Sequence, residues 1–304
     1  MSNFVGKDFH RKTLSIINNR QLISRYYKTN ENPMNTIYQA VNTFIFDMDG
    51  TLLNQEHKLS ELTISVLKEL RNRDANLVIA TGRHINDIRC YIEQLGGGIA
   101  AITCNGANIH DANGELVACE NLPLTANEKL IGLGNQFDVY TNLYTHREWL
   151  VGKPCEIMLK AHLESQFFYR ETNQHEMLTT PALKIMFFGE HGELLLLRAQ
   201  IDEDISASLN VTFSDDNYLE IMQKNVSKGD ALKTLLAKQG IPLHQTMAFG
   251  DSMNDVELFK TVAHPILMEN AVKNLSALFP NAVRARANYE DGVARFINEN
   301  IISS

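Results

Sequence analysis

Residues 44–53, reading FIFDMDGTLL, constrain this chain more than any other stretch. A run of strand formers over 43–46 stops at two carboxylates one residue apart, Asp47 and Asp49, and then enters a Gly-Thr turn. Strand alternation sends Asp47 and Asp49 the same way and Met48 the other. Two carboxylates that close repel each other unless a cation or a shared proton lies between them. The stretch reads either as a strand end holding a divalent metal beside acid-base or nucleophilic groups, or as a strand running into an ordinary Asp-Gly turn. The choice depends on whether the rest of the chain supplies partners.

From here the pattern is strand, helix, strand. Leu62, Val66 and Leu70, widened by Leu67, predict an amphipathic helix over 61–73. An apolar run at 77–80 ends in Thr81-Gly82, a helix over 84–95 stops at three glycines, and a third apolar run at 99–103 ends in Asn105-Gly106. Three strands separated by two helices predict right-handed crossovers and a parallel sheet, which carries its chemistry at the carboxyl ends of its strands. Asp47, Thr81 and Asn105 stand at such ends.

A hairpin is expected over 108–120, after which the pattern changes. A helix over 125–136, strand-like stretches at 139–144, 183–188 and 211–214, and a helix over 193–207 predict a separate α+β unit. The parallel pattern then resumes. Ser227 and Asp230 frame a helix start that places Lys228 where oriented amides already favour anions. A strand at 246–249 leads into Gly250-Asp251-Ser252-Met253-Asn254-Asp255, an apolar run at 266–268 precedes Glu269, and a last helix is expected over 291–301. The expected fold class is α/β: a parallel-sheet core from residues 37–121 and 223–304, with an α+β domain inserted at 122–222.

Residues 1–36 differ from this body. They hold six Lys or Arg against Asp8 and Glu31, so they are +4 while the remainder carries -12 of the overall -8. They lack the apolar segment of a secretory signal and run up to a second methionine, Met34, which is the expected natural start. The acidic body argues against nucleic-acid partners, and no stretch approaches the ~20 apolar residues of a membrane span. Cys90, Cys104, Cys119 and Cys155 form no ligand spacing, and neither Cys nor His is placed for zinc. A cytoplasmic protein with reduced thiols, a monomer or small homo-oligomer without membrane partners, is expected.

Strand ends thus offer the carboxylates Asp47, Asp49, Asp251 and Asp255 and a hydroxyl beside a glycine at Thr81 and Gly82, while a helix start offers Lys228. Carboxylate oxygens with open water positions suit Mg²⁺, which shares its remaining sites with phosphate. The hydroxyl, backbone amides and Lys228 suit phosphate oxygens. A carboxylate facing a phosphoryl group can attack phosphorus, and a second can carry the protons.

DMDGT at 47–51, Thr81 after an apolar strand, Lys228 in SKGDAL and GDSMND at 250–255 resemble, in order, the four motifs of the haloacid dehalogenase superfamily phosphatases. ATGR at 80–83, Asn105-Gly106-Ala107 and Glu290-Asp291-Gly292-Val293 further resemble its Cof-type, subfamily IIB members, and the match runs over about residues 36–302. The resemblance implies a Rossmann-like core with a mobile cap. It also implies Asp47 as nucleophile and Mg²⁺ ligand, and Asp49 as general acid/base with its main-chain carbonyl on the metal. Thr81, Gly82 and Lys228 would bind phosphate, and Asp251 the metal, with Asp255 and Asn254 in support. The implied substrate is a small phosphorylated metabolite, such as a sugar phosphate or pyridoxal phosphate, hydrolysed through an aspartyl-phosphate. A phosphomutase and a non-catalytic phosphometabolite-binding protein are the alternatives.

One departure is Glu269, where similar proteins carry the Gly of Met-Gly-Asn-Ala. Gly adopts positive φ and Glu rarely does, so that loop is expected to be shaped differently. Tyr140, Tyr144, His146, Arg147 and Trp149 in the inserted unit read either as pocket lining or as packing.

Overall fold

The computed structural model describes residues 38–204 and 208–303. The basic N-terminal segment with Met34 lies outside the described residues, as do the last three positions of the helix expected over 193–207. Residues 41–296 form one compact unit that holds both sheets.

The chain opens with β1 (Thr43–Phe46), β2 (Asn76–Ala80) and β3 (Ala100–Thr103), then turns back through β4 (Asn108–His110) and β5 (Leu116–Cys119). Six strands follow in the insertion: β6 (Val139–Tyr144), β7 (Trp149–Val151), β8 (Arg170–Glu171), β9 (Lys184–Gly189), β10 (Leu209–Asp215) and β11 (Tyr218–Gln223). The series closes with β12 (Thr246–Gly250), β13 (His264–Met268) and β14 (Val283–Ala285).

The first sheet has the order β14-β13-β12-β1-β2-β3-β4-β5. It is parallel from β14 to β3, and the β4 and β5 hairpin is antiparallel. Every residue of β1 is buried, as its central place demands. The chain leaves β1 for β2 on one side and later returns through β12 on the other, so β1 and β12 flank the point where strand order reverses. The crevice beyond their carboxyl ends is where such sheets bind ligands. Helices cover the sheet. Helix Glu61–Asn72 is capped by Ser60, whose hydroxyl accepts from the Thr63 N–H, and it buries Val66, Leu67 and Leu70.

The insertion forms a second sheet, β10-β11-β9-β6-β7-β8, antiparallel except for β7 with β8. Alternation divides its faces. Leu143, Ile185, Phe187, Leu219 and Ile221 pack with Leu130, Leu194 and Leu197 of helices Leu124–Gly134 and His191–Asp204. Fully burying each such side chain contributes roughly 2 kcal/mol relative to leaving it exposed. The opposite face carries Tyr144, Lys184, Met186 and Glu220.

Four strands were not anticipated. β7, β8 and β14 span two or three residues, too short for a periodic signal, and Glu220 interrupts the apolar reading of β11. The last helix is also shorter than expected: Gly292–Ile297 is α-helical and Asn298–Ile302 is a π turn.

Candidate active site

The turn after β1 brings the first motif to the crevice. Asp49 has extended backbone angles (φ -71°, ψ 126°) and Gly50 is left-handed (φ 74°). A Cβ on Gly50 would lie 2.3 Å from Asp251 Oδ2, so only glycine lets this backbone meet the carboxylate that follows β12. Thr51 Oγ1 donates to Asp251 Oδ1 at 3.0 Å, and Asn270 Nδ2 donates to the Gly50 carbonyl at 2.7 Å. Asn270 belongs to the loop that carries Glu269. Glu269 is exposed, has no positive φ and does not line the cavity described below, so its substitution leaves an ordinary turn.

Asp47, Asp251 and Asp255 converge: one carboxylate oxygen from each lies within 4.8 Å of the others, and all three residues are buried. Lys228, fully buried at the start of helix Lys228–Gln239, donates to Asp47 Oδ1 and Asp255 Oδ1, each at 2.7 Å. Burial alone would lower this lysine's pKa, but the Asp255 and Asp47 carboxylates more than offset that and raise it. Asp255 Oδ2 accepts the N–H groups of Asp251 and Ser252. Both Asp255 oxygens are therefore engaged in holding the loop and Lys228. Lys228 itself lies against the carboxylates and does not line the cavity.

One ammonium cannot balance three buried carboxylates. Burial first, then repulsion from Asp255, pushes the Asp47 carboxyl well up, with Lys228 offsetting only part of it, and the same two causes push Asp251 up to about 6. The cluster is short of positive charge, and its donors are all carboxylate oxygens, the set that hard divalent cations prefer. The residues present fit a divalent metal ion.

Asp49 is placed differently. Its side chain is 45% exposed and sits in the fork of Arg83, with Nε to Oδ2 at 2.8 Å and Nη2 to Oδ1 at 2.7 Å, while His57 Nδ1 lies 3.3 Å from Oδ1. Burial would raise its pKa, but the hydrogen bonds from Arg83 and His57 prevail and hold the carboxyl below the usual range. Arg83 also reaches Asp87 Oδ2 at 3.3 Å. Thr81 is buried at the end of β2, and its Oγ1 accepts from the Arg83 N–H at 3.2 Å. Asn105 is left-handed (φ 54°) and accepts at Oδ1 from Asn254 Nδ2 at 3.0 Å. A Cβ on the adjoining Gly106 would lie 2.3 Å from the Ser227 carbonyl oxygen, which locks this loop against the start of the Lys228 helix.

A cavity of about 890 Å³ joins these loops to the inserted sheet. Asp47, Asp49, Thr81, Gly82, Asn105 and Asn254 form its floor, and Tyr144, Met158, Met186, Phe213 and Tyr218 part of its wall. Of the aromatic and basic cluster singled out in the insertion, Tyr144 lines this cavity. Trp149 is fully buried and donates through Nε1 to Asn142 Oδ1 at 2.9 Å, so it packs. Tyr140, His146 and Arg147 do not line it.

The expected residues thus divide. Asp47, Asp251, Asp255 and Lys228 meet in one buried cluster, and Thr81, Gly82, Asn254 and Asp49 face the cavity. Sequence reasoning did not single out Lys184 and Glu220, which also line the cavity and meet as an ion pair at 3.0 Å. Arg83 pairs with two acids, Asp49 and Asp87. Glu220 carried a usable signal, because in YLEIMQ it falls on the face opposite Leu219 and Ile221.

The model of the haloacid dehalogenase-like hydrolases matches residues 44–297. An HMP-PP phosphatase of Enterobacter sp. (strain 638) is 35% identical over 232 residues, covering 76% of this chain and 85% of the relative. A haloacid dehalogenase-like hydrolase from Bacteroides thetaiotaomicron has a similar fold, with TM-score 0.79 and 23% identity, covering 85% of this chain and 99% of the other. A HAD subclass IIB sugar phosphatase aligns with TM-score 0.72 and 21% identity, covering 85% and 98%. Among the described residues, no helix is long and apolar enough to cross a membrane.

Proposed function

The chain belongs to the haloacid dehalogenase-like hydrolases, as a phosphatase of that family, and from that premise we propose that it is a Mg²⁺-dependent phosphomonoester hydrolase of small phosphorylated metabolites. The observation that carries this reading is the buried cluster of Asp47, Asp251 and Asp255, with one lysine paired to Asp47 and Asp255 and the cavity reaching it at Asp47. Asp47, Asp251 and the main-chain carbonyl of Asp49 would hold the cation, with Asp255 supporting through Lys228. When bound, Mg²⁺ offsets the repulsion between an anionic nucleophile and an anionic substrate.

The chain's own groups do the rest. Lys228 holds one Asp47 oxygen and offsets part of the cost of ionising it, which leaves the other oxygen to attack phosphorus. The new Asp47 O–P bond forms as the P–O bond to the leaving group breaks, giving an aspartyl-phosphate. Asp49 gives its proton to the leaving oxygen, then takes one from the water that hydrolyses the intermediate and releases phosphate. Because Arg83 holds Asp49 ionised, the carboxyl must part from that fork before it can carry a proton. Thr81 Oγ1 already accepts from the Arg83 N–H, which leaves its own proton for a phosphate oxygen. The amides around Gly82 and the Asn254 side chain suit the remaining phosphate oxygens.

Tyr144, Met158, Met186, Phe213 and Tyr218 give the cavity aromatic and apolar surface beside its polar lining, which suits a leaving group that carries a flat ring. A phosphorylated cofactor or cofactor precursor is therefore the preferred substrate class, in keeping with relatives that are HMP-PP phosphatases. The insertion at 122–222 acts as a cap that selects the leaving group.

The test is phosphate release from an aryl phosphate with Mg²⁺. Activity is lost on chelation and restored by Mg²⁺, and Asp47→Asn lowers it at least about a thousandfold. Unchanged activity in that variant would remove Asp47 as nucleophile.

A further inference from the structure

Two charged side chains of the cap sheet lie against the floor of the cavity. Lys184 and Glu220 are 5% and 7% exposed, and their ammonium and carboxylate meet at 3.0 Å. On the paired strands β9 and β11 they are diagonal neighbours, since Glu220 stands opposite Met186 and Lys184 opposite Met222. Each reaches across to a different core loop. Lys184 Nζ donates to the Gly82 carbonyl at 3.3 Å, and Glu220 Oε2 accepts from Asn105 Nδ2 at 3.1 Å. Asn105 in turn accepts from Asn254. The remaining contacts are internal to the cap: Ser214 Oγ donates to Glu220 Oε1, and Lys184 lies 4.9 Å from the centre of the Tyr144 ring.

A buried ion pair is tolerable only when its remaining donors and acceptors are satisfied, because taking both charges out of water is costly. Here that condition is met by groups outside the cap: a carbonyl following β2 and an amide following β3. These belong to the loops that adjoin Thr81 and Asn254. Asn105 is one of seven non-glycine described residues with positive φ, a conformation that asparagine adopts more readily than most.

We propose that Lys184 and Glu220 are positioning residues, through which the closed cap holds the Gly82 and Asn105 loops in their phosphate-receiving geometry and closes fully only over loops in that geometry. The proposal rests on the reading that these loops bind the substrate's phosphoryl group. If the loops shift, Lys184 and Glu220 are buried without their outside partners, and the docked cap loses its advantage.

Four proteins are compared with the wild type for aryl phosphate turnover, inhibition by inorganic phosphate and thermal unfolding: Lys184→Met, Glu220→Gln, Lys184→Met/Glu220→Leu and Asn86→Ala. Lys184→Met should lower kcat about 10- to 100-fold and weaken inhibition by phosphate, since small displacements of reacting groups cost that much. Glu220→Gln keeps a hydrogen-bonding side chain against Asn105 and should have a smaller effect of the same kind. The double variant replaces the pair with apolar side chains and should recover Tm while kcat stays low. Asn86→Ala removes another core-to-cap hydrogen bond, from Asn86 Nδ2 to the Arg147 carbonyl at 2.6 Å, away from the loops. It should leave kcat unchanged. Wild-type kcat in the double variant would overturn the proposal, as would an Asn86→Ala loss equal to that of Lys184→Met, because either result reduces the pair to ordinary packing. Absence of phosphate release by the wild type would instead overturn the underlying reading, and the proposal with it.

Discussion

At the carboxyl ends of β1 and β12 the site is built from short side chains on tight turns, and each carboxylate is held by a backbone that can adopt one path. Gly50 fits only because it lacks a Cβ, Thr51 fixes Asp251, and Asp255 is tied to two amides and a lysine. On the cap sheet the contributing side chains are longer, sit on strands rather than on tight turns, and depend on groups outside that sheet for their last hydrogen bonds. The first region is rigid by local construction, which chemistry requires. The second depends on its contacts with the core loops.

The largest effect that separates the two regions is expected from Lys228→Met. Removing the ammonium leaves Asp47 and Asp255 buried without their cation, and stability should fall by about 3–5 kcal/mol in urea titrations. A loss below about 1 kcal/mol would mean that the strand-end cluster is no more rigidly built than the cap.

Next comes the seam between core and cap at His84. Its Nδ1 accepts from the Asn86 N–H, so Nε2 carries the proton it donates to the Thr145 carbonyl at 2.8 Å, and both ring nitrogens are engaged in the neutral form. Burial foremost, against the Thr145 hydrogen bond, depresses its pKa to about 4 from 6.5. Between those values the unfolded chain binds the proton and the folded chain does not. The contribution of His84 is therefore complete above pH 6.5 and is lost as pH falls towards 4, by about 3 kcal/mol in all. Denaturant titrations at pH 7 and pH 4.5 should show this loss in the wild type, and a His84→Gln protein should show a shallower pH dependence. Equal slopes would remove His84 from the account.

The smallest effect is expected from Tyr218→Ala on the cavity wall. KM for an aromatic phosphate ester should rise roughly tenfold, with kcat for a small alkyl phosphate unchanged. A fall in kcat for both substrates would give the cap wall a part in the chemistry.

Much of the core was legible before the structure, because its signals are short-range. β1, β2, β3 and β12 are apolar runs that end in turn residues, and the carboxylates, Thr81 and Asn254 follow within a few positions. The cap was read less well. Its strands β7 and β8 are too short for periodicity, and β11 carries a glutamate that looks like a surface residue until its partner Lys184 is in place. Trp149 was ambiguous for a related reason: whether an aromatic side chain on a strand packs or lines a pocket depends on which face is covered.

The opening motif shows where that boundary falls. Asp47 and Asp49 stand one residue apart at a strand end, and alternation and turn chemistry alone bring both to the crevice. Their separate environments come from remote parts of the chain. Asp47 meets a lysine 181 positions away because β1 lies beside β12, while Asp49 meets Arg83, 34 positions on, because β2 lies on the other side. Local sequence specifies which groups reach a strand end, since that depends on a few dihedral angles. Which of them is buried against a cation and which is held in an arginine fork depends on strand order, and that is settled only when the whole sheet assembles.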